Sequence, residues 1–211
     1  MKITKLGHSC FLVEDNNVKV LFDPGDYVII ENSIRNLQAI IITHSHSDHF
    51  DLGNIRTLVK DNPECKIITN TQVSDLLKNE NYKIDVVENE KSTDLRGMEI
   101  EAIGNEHMAI YSGVVTPQCT GYYINKKLFN TADNFNKLDR DVEILIAPFT
   151  APWFKLSEYL DYVKAIKPKK VLAAHDGNMK DATGFCKKIA AILMDSGIEF
   201  INMDLNKDYE L

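Results

Sequence analysis

The sequence predicts an α/β fold in which β-sheets are covered by helices. Two observations carry that expectation: short β-rich apolar runs recur along the 211-residue chain, and amphipathic segments with helical spacing lie between them. Ile3–Leu6, Cys10–Val13 and Val18–Phe22 read as strands, the last two joined across Asn16-Asn17, a pair that suits a tight hairpin turn. Leu37–Thr43 reads as a buried strand through Ala39-Ile40-Ile41-Ile42, and Leu52, Ile55, Leu58 and Val59 then recur at helical spacing. Strands are predicted at Cys65–Thr69, Lys83–Val87, Met98–Ile103, Gly121–Ile124, Leu128–Thr131 and Val142–Ala147. The stripe Leu156, Tyr159, Leu160, Val163 and Ile166 predicts a further helix, followed by a strand at Lys170–Ala174. Phe185, Ile189, Ile192 and Leu193 predict the last helix, and Ile198–Asn202 the closing strand. These stripes face a core, because apolar strand runs bracketed by helices imply sheets covered by helices.

Composition supports one compact domain over residues 1–211. A chain of this length with 44% hydrophobic residues can bury a sizeable core. No repeat or linker divides it, and the two halves are expected to meet near Ser112–Pro117. No run of about 18 apolar residues offers a bilayer span, and Met1-Lys2-Ile3-Thr4-Lys5 enters a strand with no signal-peptide core, so a cytoplasmic protein with no membrane partner is expected. Cys10, Cys65, Cys119 and Cys186 are scattered without a C-x-x-C pair, which points to reduced, buried thiols. A formal net charge of −7 disfavours nucleic acid, whose binding rests on phosphate neutralisation. The expected partner is a small-molecule substrate, with oligomeric state left open.

The densest chemical signal is Thr43-His44-Ser45-His46-Ser47-Asp48-His49-Phe50-Asp51, directly after an apolar strand. Side chains two apart on an extended chain point the same way, so His44 and His46 can grip one ion and Asp48 continues the row. His49 is out of step. A turn at Ser47-Asp48 would aim it at a second point nearby, which suits a pair of ions better than one.

This H-x-H-x-D-H pattern resembles the signature of the metallo-β-lactamase-fold hydrolases. Gly7-His8-Ser9-Cys10-Phe11-Leu12-Val13 followed by Leu21-Phe22-Asp23-Pro24-Gly25 is similar to the opening of the branch containing ascorbate-6-phosphate lactonases and uncharacterised Zn-dependent hydrolases. Ile103-Gly104-Asn105-Glu106-His107, Phe129-Asn130-Thr131-Ala132-Asp133 and Val171-Leu172-Ala173-Ala174-His175-Asp176-Gly177 resemble the family's later motifs. Together the likeness covers residues 3–25, 37–51, 103–133 and 147–179. It implies a four-layer αβ/βα sandwich of two mixed β-sheets flanked by helices, with ligands on loops at one edge. It also implies that His44, His46 and His107 hold one ion, that Asp48, His49 and His175 hold another, and that Asp133 bridges both. Two departures stand out. Ala132 occupies a place where the family usually has glycine, which matters if φ is positive there. Met108, Ala109, Ile110 and Tyr111 follow His107 where several relatives carry a further histidine.

Two close divalent ions, zinc by preference with manganese, nickel or iron tolerated, define the chemistry the resemblance implies. Zinc lowers the pKa of bound water from about 15.7 to about 7. A hydroxide bridged between the ions would attack a lactone, ester, amide or phosphodiester, with Asp48 and Asp133 as the catalytic carboxylates. Alternatives of the same fold are an RNA- or DNA-processing nuclease and an iron-dependent oxidoreductase; the flavin-linked di-iron relatives usually have glutamate where His46 stands. A metal-binding module without activity is a further alternative. No G-x-S-x-G elbow, Gly-rich phosphate loop or G-x-G-x-x-G is present. Asp23 is a candidate to fix the free nitrogen of a metal-bound imidazole, and His8 to hydrogen-bond the metal loop. Trp153 and Phe154 suit either a pocket wall or the core, Asp176 is a poor ligand because the adjacent residue points elsewhere, and Lys167-Pro168-Lys169-Lys170 reads as a solvated turn.

Overall fold

A computed structural model of the chain describes residues 1–30 and 34–211. The chain opens with an antiparallel meander, β1 (Lys2–Gly7), β2 (Cys10–Asp15) and β3 (Val18–Phe22). Its second turn is Asn16-Asn17 with φ 48° and 63°, the left-handed pair that asparagine tolerates and a two-residue hairpin requires. Parallel strands β4 (Ala39–Ile41), β5 (Lys66–Thr69) and β6 (Ile84–Val86) follow, linked by α1 (Leu52–Asp61) and α2 (Thr71–Leu76). The second sheet starts antiparallel with β7 (Ser92–Leu95), β8 (Met98–Ile103), β9 (Gly121–Ile124) and β10 (Leu128–Asn130). It continues in parallel through β11 (Ile144–Pro148), β12 (Lys170–Ala174) and β13 (Glu199–Ile201), with α3 (Leu156–Ile166) and α4 (Thr183–Met194) as crossovers. Finally β14 (Asp208–Glu210) returns to pair with β1.

Two mixed seven-stranded sheets result, ordered β14-β1-β2-β3-β4-β5-β6 and β13-β12-β11-β10-β9-β8-β7. Strand alternation assigns the layers. Val20, Phe22 and Ile41 face Ile100, Ile124, Ile144 and Leu172 in the core between the sheets. Their neighbours Leu21, Ile40 and Ile42 pack outward against Ile55, Leu58 and Val73 of α1 and α2. On the other side Leu145, Ala147 and Val171 pack against Tyr159, Val163, Ile189 and Leu193 of α3 and α4. This is the four-layer αβ/βα sandwich.

Three differences from the sequence reading have local causes. The chain crosses between the sheets at residues 87–91, between β6 and β7, and not near Ser112–Pro117, which lies on the loop between β8 and β9. The unforeseen strands β7 (Ser-Thr-Asp-Leu) and β14 (Asp-Tyr-Glu) are polar edge strands with no apolar run to mark them. The unforeseen α2 has six residues, too few for a stripe, and is announced only by its cap: Asn70 accepts from the Val73 N–H. The four cysteines are buried and free. Among the described residues no helix is long and apolar enough to cross a membrane.

The ends of β3, β4, β10 and β12 share one edge of the sandwich, the place where α/β sheets collect ligand-bearing loops. After β3 the Asp23-Pro24-Gly25 turn presses on the loop after β4: Asp26 N–H donates to Ser47 O at 2.8 Å, and Asp51 N–H to Pro24 O at 3.2 Å. Gly25 is required by this approach, since a Cβ there would overlap the Asp48 carbonyl group. Gly25→Ala is therefore expected to displace residues 47–49, costing about 1–3 kcal/mol. Chemical denaturation checks the stability loss, and calorimetric zinc titration should show weakened binding in the same variant.

Candidate metal centre

Seven of the predicted side chains, joined by His8, converge into two adjacent groups. His44, His46, His107 and Asp133 form one, and His8, Asp48, His49 and His175 the other, with the candidate donor atoms of each group within 4.8 Å of one another. Asp133 faces both. Its Oδ1 lies 3.4 Å from His49 Nε2, and its Oδ2 lies 3.5 Å from His107 Nε2 and 3.1 Å from His175 Nε2. Asp48 Oδ2 lies 3.2 Å from His175 Nε2 and 4.0 Å from His49 Nε2.

Hydrogen bonds behind the donors decide which nitrogen His44, His49 and His107 present. Asp23 is buried at the head of its turn; it accepts from Thr43 N–H at 2.8 Å and from the Thr43 hydroxyl at 2.9 Å. Its Oδ2 also lies 2.9 Å from His49 Nδ1, so that nitrogen carries the proton and Nε2 keeps its lone pair. With its proton on Asp23, the Thr43 hydroxyl accepts from His44 Nδ1 at 3.0 Å, which leaves His44 Nε2 free. His44 Nε2 in turn lies 3.2 Å from His46 Nδ1. His107 Nδ1 donates to Met108 O at 2.6 Å, so Nε2 is again the free atom.

His8 obeys the same logic with a different outcome. Gly177 N–H donates to His8 Nδ1 at 2.9 Å, so the proton sits on Nε2, which donates to Asp48 Oδ2 at 3.0 Å. His8 thus hydrogen-bonds the metal loop, and its ring stacks on Tyr27 at 4.5 Å.

Electrostatics favour positive charge at the junction. Burial holds His44 well below the usual imidazole range and keeps it neutral. Burial opposes charge on His49 too, yet Asp133 and Asp23 outweigh it and raise that histidine; His175, likewise buried, is pushed up to about 9 by Asp133 and Asp48. Asp133 is held well below the carboxylate range, because the His49 and His175 charges overcome its burial. Burial raises Asp23, against the pull of His49 and Thr43.

The donor set fits a pair of divalent cations on an independent observation. Among the described residues, five buried side-chain nitrogen or oxygen atoms lack a hydrogen-bond partner, and four of them are His49 Nε2, His107 Nε2 and both His175 nitrogens. Buried polar atoms are rarely left so. Nitrogen and carboxylate donors of this kind suit zinc and its first-row neighbours.

Around the centre, Trp153 is 9% exposed and stands edge-on to the His107 ring with centroids 6.3 Å apart, so it is both a wall and a core residue. Phe154 packs on Tyr159 and Phe185 instead. Tyr111 is 76% exposed on the loop after His107. The sequence reading missed Thr43 and Asn70. Asn70 is fully buried and donates to Thr43 O at 2.9 Å. Thr43 offers only its place beside the ligand motif, and Asn70 only its place between a strand and a helix.

Four non-glycine residues of the site have left-handed backbones: His8 (φ 40°), Asp23 (44°), Ala132 (54°) and His175 (67°). Ala132 therefore does occupy a position that favours glycine. It brings Asp133 round from β10, with its own N–H donating to Asn130 Oδ1 at 3.1 Å. Ala132→Gly is expected to relieve about 1 kcal/mol of strain without altering metal content. A rise in the denaturation midpoint with an unchanged metal-to-protein ratio checks both parts.

Comparison with known proteins agrees with this geometry. A family model described as Beta-lactamase superfamily domain matches residues 2–175. Protein Rv0786c of Mycobacterium tuberculosis is 31% identical over 180 residues, 83% of this chain and 84% of its own length. The UPF0173 metal-dependent hydrolase NEQ378 of Nanoarchaeum equitans is 24% identical across 100% of this chain and 99% of that protein. Among solved structures, Igni18, a metallo hydrolase from Ignicoccus hospitalis, matches with a TM-score of 0.74 at 18% identity, covering 100% of this chain and 98% of its own. With its sandwich of two mixed sheets and its paired histidine and aspartate groups, the chain belongs to the metallo-β-lactamase superfamily, among relatives described as metal-dependent hydrolases.

Proposed function

We propose that the protein hydrolyses a small molecule at a centre of two divalent cations, zinc by preference. The observation that carries this reading is the position of Asp133 between the two donor groups. His44, His46 and His107 would hold one cation, Asp48, His49 and His175 the other, and Asp133 both. Such a pair supplies hydroxide from water near neutral pH and positive charge where an oxyanion develops. Its substrate bond, on this proposal, is a lactone, ester, amide or phosphodiester, in keeping with the opening segment that resembles the lactonase branch.

The chain's own residues then have distinct tasks. Asp133 would offset repulsion between neighbouring cations, because its carboxylate reaches His107 of one group and His49 and His175 of the other. Asp48 stays ionised: burial opposes its charge, but His175 and His8 outweigh that and hold it below the usual range. Facing the centre, its carboxylate can orient a water molecule. His8 cannot serve as the base, since its Nδ1 is occupied by the Gly177 N–H and its Nε2 already donates to Asp48. Trp153 packs edge-on against His107 on one side of the centre.

Charge separates the small-molecule reading from the nuclease. A net charge of −7 repels a polyanion, while the centre itself need neutralise only a single phosphate. We expect turnover within a panel of lactones, thioesters and simple phosphodiesters, none on structured RNA at about 150 mM salt, and none with Asp133→Ala as blank. RNA cleavage that the blank lacks, with no turnover on the panel, would move the assignment to a nuclease.

Metal uptake should also depend on pH with a definite sign. A proton on His175, held to about 9, competes with a cation for the same nitrogen. Uptake at pH 7 is therefore expected to release protons, and apparent zinc affinity to climb as pH rises toward 9. Titration calorimetry in buffers of different ionisation enthalpy measures both; affinity independent of pH between 7 and 9 would contradict the competition.

A further inference from the structure

Lys5 lies on β1 with its side chain fully buried, a rare state for lysine unless it is paired. Its Nζ donates to Ala173 O at 2.8 Å and lies 2.7 Å from Asp176 Oδ2. The Phe11 ring, 5.8 Å away, packs beside the ammonium. The contacts to Ala173 and Asp176 cross the sandwich, since β1 belongs to one sheet and Ala173 lies near the end of β12 in the other.

The partners of Lys5 bracket His175. Ala173 O lies where β13 has already stopped, its last register partner being Leu172 opposite Ile201, so the Lys5 ammonium serves that carbonyl in place of a strand neighbour. Beyond it the backbone turns left-handed at His175, φ 67°, which a histidine keeps only if the flanking residues are held. Further ties reach the same corner of β1: His175 N–H donates to His8 O at 3.1 Å, and Gly177 N–H to His8 Nδ1 at 2.9 Å. Residues 173, 175, 176 and 177 are thus all anchored to residues 5–8.

We propose that Lys5 is a positioning residue for His175, with Asp176 as its counter-ion: the pair clamps the strained turn so that His175 Nε2 meets Asp48 and Asp133. This rests on the two-cation reading above. Lys5 touches no donor atom and acts through the backbone on either side of His175. A buried cation next to a cation-binding centre is tolerable because Asp176 neutralises it locally.

The test compares the full-length protein with Lys5→Met and with Lys5→Met/Asp176→Leu, using zinc as probe. The single variant strands the Asp176 carboxylate and can fail to fold; the double variant removes both charges, a change that is often neutral for stability. Hydrogen exchange reports the His175 and Gly177 amides, and competitive chelator titration reports zinc affinity. We expect faster exchange at those two amides, unchanged exchange in β2 and β3, and roughly 10–100-fold weaker binding of one of two zinc ions. Uniformly faster exchange, or wild-type zinc affinities in the folded double variant, would overturn the proposal and leave Lys5–Asp176 a stability element only. A wild-type protein that takes up one zinc would instead strike the two-cation reading, while the exchange measurement still decides whether Lys5 holds the turn.

Discussion

A carboxylate buried as deeply as Asp133, 3% exposed, stays ionised only where positive charge converges on it. Everything else in the site serves that convergence. His49 arrives from the loop after β4, His107 from the loop after β8 and His175 from the end of β12, so the charge of one residue is balanced by donors from both sheets. Without a cation, histidines must protonate to supply the balance. With one, they are free to act as lone-pair donors, which is why the unpartnered nitrogens and the lowered carboxylate are two views of one requirement.

Holding donors from separate sheets at one edge demands rigidity, and the chain achieves it with a layer of buried polar contacts behind the ligands. Asp23 ties Thr43 and His49 together, Thr43 orients His44, and His8 links Asp48 to Gly177. Left-handed backbones at His8, Asp23, Ala132 and His175 are the conformational cost of these close approaches. Such strain persists because the surrounding hydrogen bonds over-determine the geometry. A sandwich whose central layer is apolar transmits no specific orientation by itself; the polar clamps at its edge do.

Much of this is legible in the amino-acid sequence. Apolar runs such as Ile40-Ile41-Ile42 and Val171-Leu172 mark central strands because both faces are buried, and histidines spaced two apart after such a strand mark a ligand row. The resemblance added His107, Asp133 and His175, which no local spacing connects. What stayed hidden has a common character. The polar edges β7 and β14 carry no burial signal, and the crossing at residues 87–91 follows from β7 having joined the second sheet. Lys5, Thr43 and Asn70 carry no sequence mark of a place in the site, and only the tertiary fold brings them behind it. Ala132 could be flagged, but the sign of its φ could not be read from the chain.

On this reading Asp133 joins two cation sites into one centre. Anomalous scattering from zinc-loaded crystals, collected on both sides of the zinc absorption edge, tests it directly. Two peaks per chain are expected, one among His44, His46 and His107, the other among Asp48, His49 and His175, each within coordination distance of an Asp133 oxygen. A single peak at full loading, or two peaks with Asp133 turned away from either, would contradict it.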